Sequence, residues 1–299
     1  MATRDEAILE AFGRVRSWTR GDERAPHKPL LLLMALARVQ RGGGRLLAFE
    51  EVEGALSRLL DEFGPDRSST NPHYPFWRLR NDGIWEVPEA AALAARENAS
   101  GDVPVTALRE ARARGGLIEE VHDHLASRPE LVNRLAGRIL DDAFPPSLHQ
   151  EVLDAVGFPW VVVGRRRPRD PRFREEVLRI YERRCAVCGY GGRLGTADLA
   201  LEAGHIKWHA AGGPDEPDNG MALCSFHHVS LDRGALTVDD ELRVQVSQQV
   251  AGREMVDALL IRYTGRRMRG PQRGTPAPNP EYLAWHREQV FRKPARVVD

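Results

Sequence analysis

The chain has 299 residues, 43 basic and 43 acidic side chains, and 42% hydrophobic content, which excludes a disordered or fibrous polypeptide and leaves room for about two domains. Its longest apolar run, PLLLLMALA from Pro29 to Ala37, is far short of the ~18–20 residues that cross a bilayer, and the start MATRDEAILEAFG lacks the basic and apolar regions of a signal peptide, so a cytoplasmic protein with no membrane span is expected. Three cysteines cannot all pair with one another, which argues against a disulfide framework and for metal chemistry.

Taken in chain order, TRDE (Thr3 to Glu6) is a capping-box pattern that predicts a helix to about Trp18. A second helix is predicted after Pro29, ending at RGGGR, and a third over FEEVEGALSRLLDEFG, where apolar residues recur at helical spacing. The pattern then changes. PFWRLR and IWEVP flank NDG, and Asp-Gly between such runs predicts a hairpin in which Phe76 and Trp77 alternate faces. Helical patterns return from about Val105 through Val156 and include GGLIEEVHDHL. Residues 1–155 therefore read as a mostly helical domain carrying a small β-hairpin or sheet.

Residues 156–171 read as a basic linker, and GRRRPRDPRFR places six arginines between Arg165 and Arg174. RYTGRRMRGPQRG adds five between Arg262 and Arg273. Local basic patches of this kind suit phosphate contact whatever the net charge. Asp170-Pro171 then predicts a helix to about Arg184, with Asp as N-cap, Pro in the first turn, and Val177, Ile180 and Tyr181 on one face. A second domain spans 172–263, and 264–299 reads as an extended Pro/Gly tail closed by the short helix PEYLAWHREQVF.

The second domain concentrates the chemistry. CAVC supplies Cys185 and Cys188, and CSFH supplies Cys224 and His227. Three thiolates and an imidazole in two short pairs complete a tetrahedral structural Zn²⁺ site. That leaves His205, Asn219, His228 and Asp232 within LEAGHIKWHAAGGPDEPDNGMALCSFHHVSLDRG, with His209 a spare in the loop. A neutral imidazole can act as a base near pH 7, and a divalent ion can act as a Lewis acid.

These residues and their spacing resemble the HNH (ββα-metal) nucleases, in the branch that carries a zinc knuckle, over roughly Arg172 to Val238. The resemblance implies that His205 is the general base, that Asn219 fixes the geometry around it, and that His228 binds the catalytic metal while its neighbour His227 faces zinc. Many members carry a metal ligand just before the base; here that position is Gly204. Asp232, one helical turn beyond His228, is the expected second ligand, ahead of Glu202, and so few protein ligands favour Mg²⁺ or Mn²⁺.

HKPLLLL and YPFW.L..DG.W, followed by such a nuclease domain, are similar from end to end to the sulfur-binding-domain HNH endonucleases, which restrict DNA with a phosphorothioate backbone. The implied fold class is α+β, a helical recognition domain joined to a zinc-stabilised nuclease domain. The implied partner is phosphorothioate-modified double-stranded DNA. Tyr74 and Pro75 would form an apolar cup for sulfur, with Arg78 where the family can carry a small residue, and Arg20, His27 and Lys28 would give a positive rim. Sulfur is softer and less hydrated than oxygen, so an apolar cup favours it. Double-strand cleavage from one site per chain points to a homodimer. Two other readings compete: an HNH endonuclease dependent on methyl- or hydroxymethylcytosine, and a non-cleaving zinc-stabilised DNA-binding protein.

Overall fold

The computed structural model describes residues 3–15, 25–67, 69–159 and 171–297. The chain divides into two compact units, Met1–Ala143 with His149–Arg165, and Phe144–Leu148 with Arg166–Asp299. Among the described residues no helix is long and apolar enough to cross a membrane.

In the first unit, helix α1 (Arg4–Gly13) opens on a complete capping box, in which Thr3 and Glu6 each satisfy the other's backbone N–H. Helix α2 (His27–Gln40) begins before Pro29, which sits in its first turn, and buries nine residues from Leu30 to Val39 on every side. A helix apolar all round is a core helix. Around it lie β1 (Leu46–Ala48), α3 (Phe49–Phe63), α4 (His73–Arg78), β2 (Trp85–Glu86), α5 (Ala90–Leu93), α6 (Val105–Glu110), β3 (Arg114–Leu117), α7 (Glu119–Ala126), α8 (Pro129–Ala143) and α9 (His149–Ala155).

Two expectations are corrected here. PFWRLR is not a hairpin strand: it lies in α4 and a following 3-10 turn that ends at Gly83 in the left-handed region (φ 75°). Phe76 and Trp77 are therefore both buried, instead of facing opposite ways. The sheet is three-stranded and antiparallel, in the order β1-β3-β2. Its central strand is the GGL that reads as helical in sequence. A Cβ on Gly115 would lie 2.8 Å from the Phe76 ring, and one on Gly116 would lie 2.0 Å from the Arg45 carbonyl, so the glycines are needed for close packing.

In the second unit, α10 (Pro171–Ile180) buries Val177, Leu178 and Ile180. The short pair β4 (Arg193–Leu194) and β5 (Ala197–Asp198) precedes the hairpin of β6 (Leu201–His205) and β7 (Gly220–Cys224), which leads directly into α11 (Ser225–Asp232). Strands β8 (Leu236–Val238) and β9 (Val244–Val246) and helices α12 (Glu254–Leu259) and α13 (Pro280–Gln289) complete it. Leu283 of α13 joins the same core as Val177 and Leu223. His286 is 1% exposed; its Nε2–H donates to the Leu231 carbonyl while Nδ1 accepts from Thr237. The segment read as a tail thus supplies part of the core that supports α11.

Candidate functional site

The ligand atoms of Cys185, Cys188, Cys224 and His227 all lie within 4.8 Å of one another. Cys188 and Cys224 sulfurs are 4.0 Å apart, close to the ~3.8 Å edge of a tetrahedron built on ~2.3 Å Zn–S bonds. His227 Nδ1 lies 3.5 and 3.1 Å from the sulfurs of Cys185 and Cys224. Its other nitrogen donates to the Leu259 carbonyl at 2.8 Å, which fixes the tautomer with Nδ1 toward the sulfurs. The donor set fits a structural zinc ion. An ion held by these four residues would tie the turn after α10 to the point where β7 becomes α11.

The β6–β7 hairpin has two faces. His205 pairs with Gly220, and both turn toward α10, where the His205 ring stacks on Phe173 at 4.2 Å between centroids. Its Nε2–H donates to Asp215 Oδ1 at 2.7 Å, so Nδ1 is the basic nitrogen of the neutral ring. Asn219 is fully buried and clamps the intervening loop: its Oδ1 accepts from the Lys207 N–H at 2.8 Å, and its Nδ2 donates to the carbonyls of Lys207 and Pro214 at 3.0 and 2.9 Å. Closing the Pro214 end brings Asp215 beside His205. His209 stands 5.9 Å from His205, edge to face.

The opposite face carries Glu202 and Gly204 toward α11. His228 Nδ1–H donates to Glu202 Oε2 at 2.5 Å, and Ser225 donates to the other Glu202 oxygen at 2.7 Å. His228 Nε2 is consequently its basic nitrogen, and it lies 3.5 Å from Asp232 Oδ2, a separation at which one cation can take both. Asp232 is 3% exposed and also accepts from Ser147. Glu202, which ranks below Asp232 as a metal ligand from sequence, orients His228 instead. A Cβ at Gly204 would sit 2.8 Å from His228 Cδ2. The space beside Gly204 is thus filled by the His228 ring itself. His205 projects from the face of β6 opposite the one on which His228 of α11 packs, yet His228 lies against Gly204, the residue adjoining His205 and one backbone step of ~3.8 Å away.

In the first unit, a cavity of about 600 Å³ is lined by His27, Lys28, Tyr74, Pro75, Arg78 and Asp102 among others. Helical spacing places Tyr74 and Arg78 on one side of α4, and the Arg78 Cζ lies 4.6 Å from the Tyr74 ring centroid. Arg78 makes two hydrogen bonds to Asp102, which hold its pKa above the ordinary arginine value. Lys28 is paired with Asp82 at 2.5 Å. His27 donates to the Thr70 carbonyl at 2.9 Å, and burial pushes its pKa below the usual histidine value. Arg20 lies outside the described residues.

Residues 5–159 match the family described as ScoMcrA-like, DNA sulfur-binding domain. The chain belongs to this family. Residues 185–239 match the HNH endonuclease family, so the sulfur-binding domain is joined to a nuclease domain. Similar solved structures include the sulfur binding domain of ScoMcrA complexed with phosphorothioated DNA, at 25% identity and TM-score 0.45, covering 50% of this chain and 95% of that one. The corresponding domain of SprMcrA gives 24% identity and TM-score 0.43, with 52% and 95% covered. The type IV phosphorothioation-dependent restriction endonuclease ScoMcrA gives 24% and 0.45, with 55% of this chain but only 36% of that chain covered. No curated protein matches the chain.

Within the sulfur-binding domain, the cavity gathers His27, Lys28, Tyr74, Pro75 and Arg78 from two helices that are distant in sequence. Sequence reasoning misses the acids that pair with these cations, Asp82 and Asp102, as it misses Asp215 in the nuclease domain. No spacing rule signals them, because each acts from a loop or turn.

Proposed function

We propose that this protein is a modification-dependent restriction endonuclease that recognises phosphorothioated duplex DNA through its sulfur-binding domain and hydrolyses phosphodiester bonds nearby. The observation that carries the reading is the union, in one chain, of a sulfur-binding family domain with a nuclease hairpin in which His205 is oriented by Asp215. In the cavity, Tyr74 and Pro75 form the apolar seat, with His27, Lys28 and Arg78 around it. Arg20 belongs to the same proposed rim.

In the nuclease domain, His205 Nδ1 takes the proton of the attacking water, and the Asp215 carboxylate stabilises the imidazolium so formed. As the water oxygen bonds to phosphorus, the bond to the 3′ oxygen breaks. His228 and Asp232 would hold Mg²⁺ or Mn²⁺, which when bound would supply Lewis-acid stabilisation of the charge that develops on the phosphate. Cys185, Cys188, Cys224 and His227 hold Zn²⁺ for structure alone. Asn219 keeps the loop closed so that base and carboxylate stay in register. Cutting both strands with one such site per chain calls for a homodimer, and the substrate places the enzyme in the cytoplasm.

Among the described residues the cavity of the sulfur-binding domain offers little to a flipped modified base. Among the described residues the cavity is lined by Tyr74 and by no Phe or Trp, so an aromatic sandwich is missing. The decisive experiment incubates the protein with matched duplexes, phosphorothioate and ordinary, with and without Mg²⁺ or Mn²⁺, and sizes the fragments. Metal-dependent cutting confined to the modified duplex is expected; equal cutting of both would refute the recognition step.

A further inference from the structure

Arg78 stands where an apolar cup would be best served by a small side chain. A guanidinium there ought to recruit phosphate oxygens, since planar bidentate binding of oxyanions is what arginine does best. The structure shows where that capacity goes. Nε and Nη2 of Arg78 bind the two carboxylate oxygens of Asp102 at 2.6 and 2.5 Å, and its Cζ lies over the Tyr74 ring, 4.6 Å from the centroid.

The loop backbone that carries this carboxylate is held independently of the arginine. Asn98 Oδ1 accepts from the Asp102 N–H at 3.1 Å, and the Asp102 carbonyl accepts from the Asn98 N–H at 2.8 Å. Trp77 Nε1–H donates to the Gly101 carbonyl of the same turn at 3.0 Å. The Asp102 side chain is only 4% exposed, so the pair is worth more than a surface ion pair and its geometry is set by the loop.

We propose that Asp102 is a positioning residue that sets the preference for sulfur over oxygen by retaining Arg78 against Tyr74. Tied in this way, the pair is neutral as a whole and offers the non-bridging atom the aromatic and proline surface. Released, the guanidinium would bind an ordinary phosphate oxygen at least as well as a sulfur, and the discrimination would shrink. The inference rests on the reading of this cavity as the phosphorothioate seat.

The test measures binding of the full-length protein, without added divalent ion, to two duplexes that differ by a single sulfur. Asp102→Asn should raise affinity for the ordinary duplex by about tenfold, the worth of one hydrogen bond to a charged group, and lower the preference by the same factor. Adding Arg78→Ala to that variant should return the preference to within about threefold of wild type, a rescue that general loosening of the domain would not give. A folded Asp102→Asn protein with unchanged preference overturns the inference and leaves the phosphorothioate reading standing. A wild-type protein with no preference overturns both. If Asp102→Asn does not fold, Asp102→Glu decides: a preference lowered by about threefold or more, from a carboxylate displaced along a longer side chain, supports retention by Asp102, and an unchanged preference overturns it.

Discussion

Asp215 Oδ1 lies 2.7 Å from His205 Nε2, and this contact decides which nitrogen of the ring carries the lone pair. With Nε2 donating, Nδ1 is the nitrogen that serves as base in the proposed mechanism. Asp215→Asn removes the charge that stabilises the imidazolium. One charge-assisted hydrogen bond of about 1.5–3 kcal/mol corresponds to a cleavage rate lower by about tenfold to a hundredfold. His205→Ala should cost about 10²–10⁴-fold. DNA affinity should be unchanged in both, as read by single-turnover cleavage beside a binding titration.

Glu202 does for His228 what Asp215 does for His205. Glu202→Gln should weaken Mn²⁺ binding by about 10–100-fold, the usual cost of losing a carboxylate behind a metal-bound imidazole. Titrating cleavage against Mn²⁺ measures this directly. A maximal rate that is regained at high metal would separate the effect from misfolding, and an unchanged metal requirement would count against the assignment.

Asn219→Ala would strip three hydrogen bonds from the loop that this fully buried side chain clamps. Each backbone group left without a partner costs about 1–3 kcal/mol, so the nuclease unit should lose about 3 kcal/mol or more. Asn219→Asp keeps the acceptor for Lys207 N–H and loses both donors, so it should fare little better. Denaturant unfolding of the two variants gives the comparison.

Zinc removal should unfold the second unit and spare the first, because structural zinc contributes of order 10 kcal/mol or more. Cys185→Ser protein should lack stoichiometric zinc, lose the nuclease transition on melting, and still bind modified DNA. Full zinc content with normal melting would count against the four-ligand assignment.

His27 gives a pH signature. Burial, reinforced by the charge of Arg67, lowers its pKa from the ordinary 6.5, against the opposing hydrogen bond to Thr70. As pH falls, the unfolded chain therefore takes up a proton before the folded one does. Stability present above pH 6.5 is lost progressively below it. Melting followed from pH 7.5 to 5.5 should fall more steeply for wild type than for His27→Gln, whose amide can keep the Thr70 contact. Parallel slopes would exclude His27 as a source of acid sensitivity.

What the sequence determined by itself is local. Cys-x-x-Cys and Cys-x-x-His fix ligand spacing within one turn, Thr3 and Glu6 cap a helix across three residues, and the His205, Asn219 and His228 spacing defines a hairpin and helix. Short-range geometry of this kind survives whatever the rest of the chain does. Tertiary structure decided the remainder. Arg78 meets Asp102 across 24 residues and Lys28 meets Asp82 across 54, pairings that no periodicity encodes. The α4 turn and the Gly115–Gly116 strand are not legible in the sequence, because elements of four to six residues are too short to show a period. Their conformation follows from what they pack against, Phe76 and Trp85 in the core, and that is known only once the chain has folded.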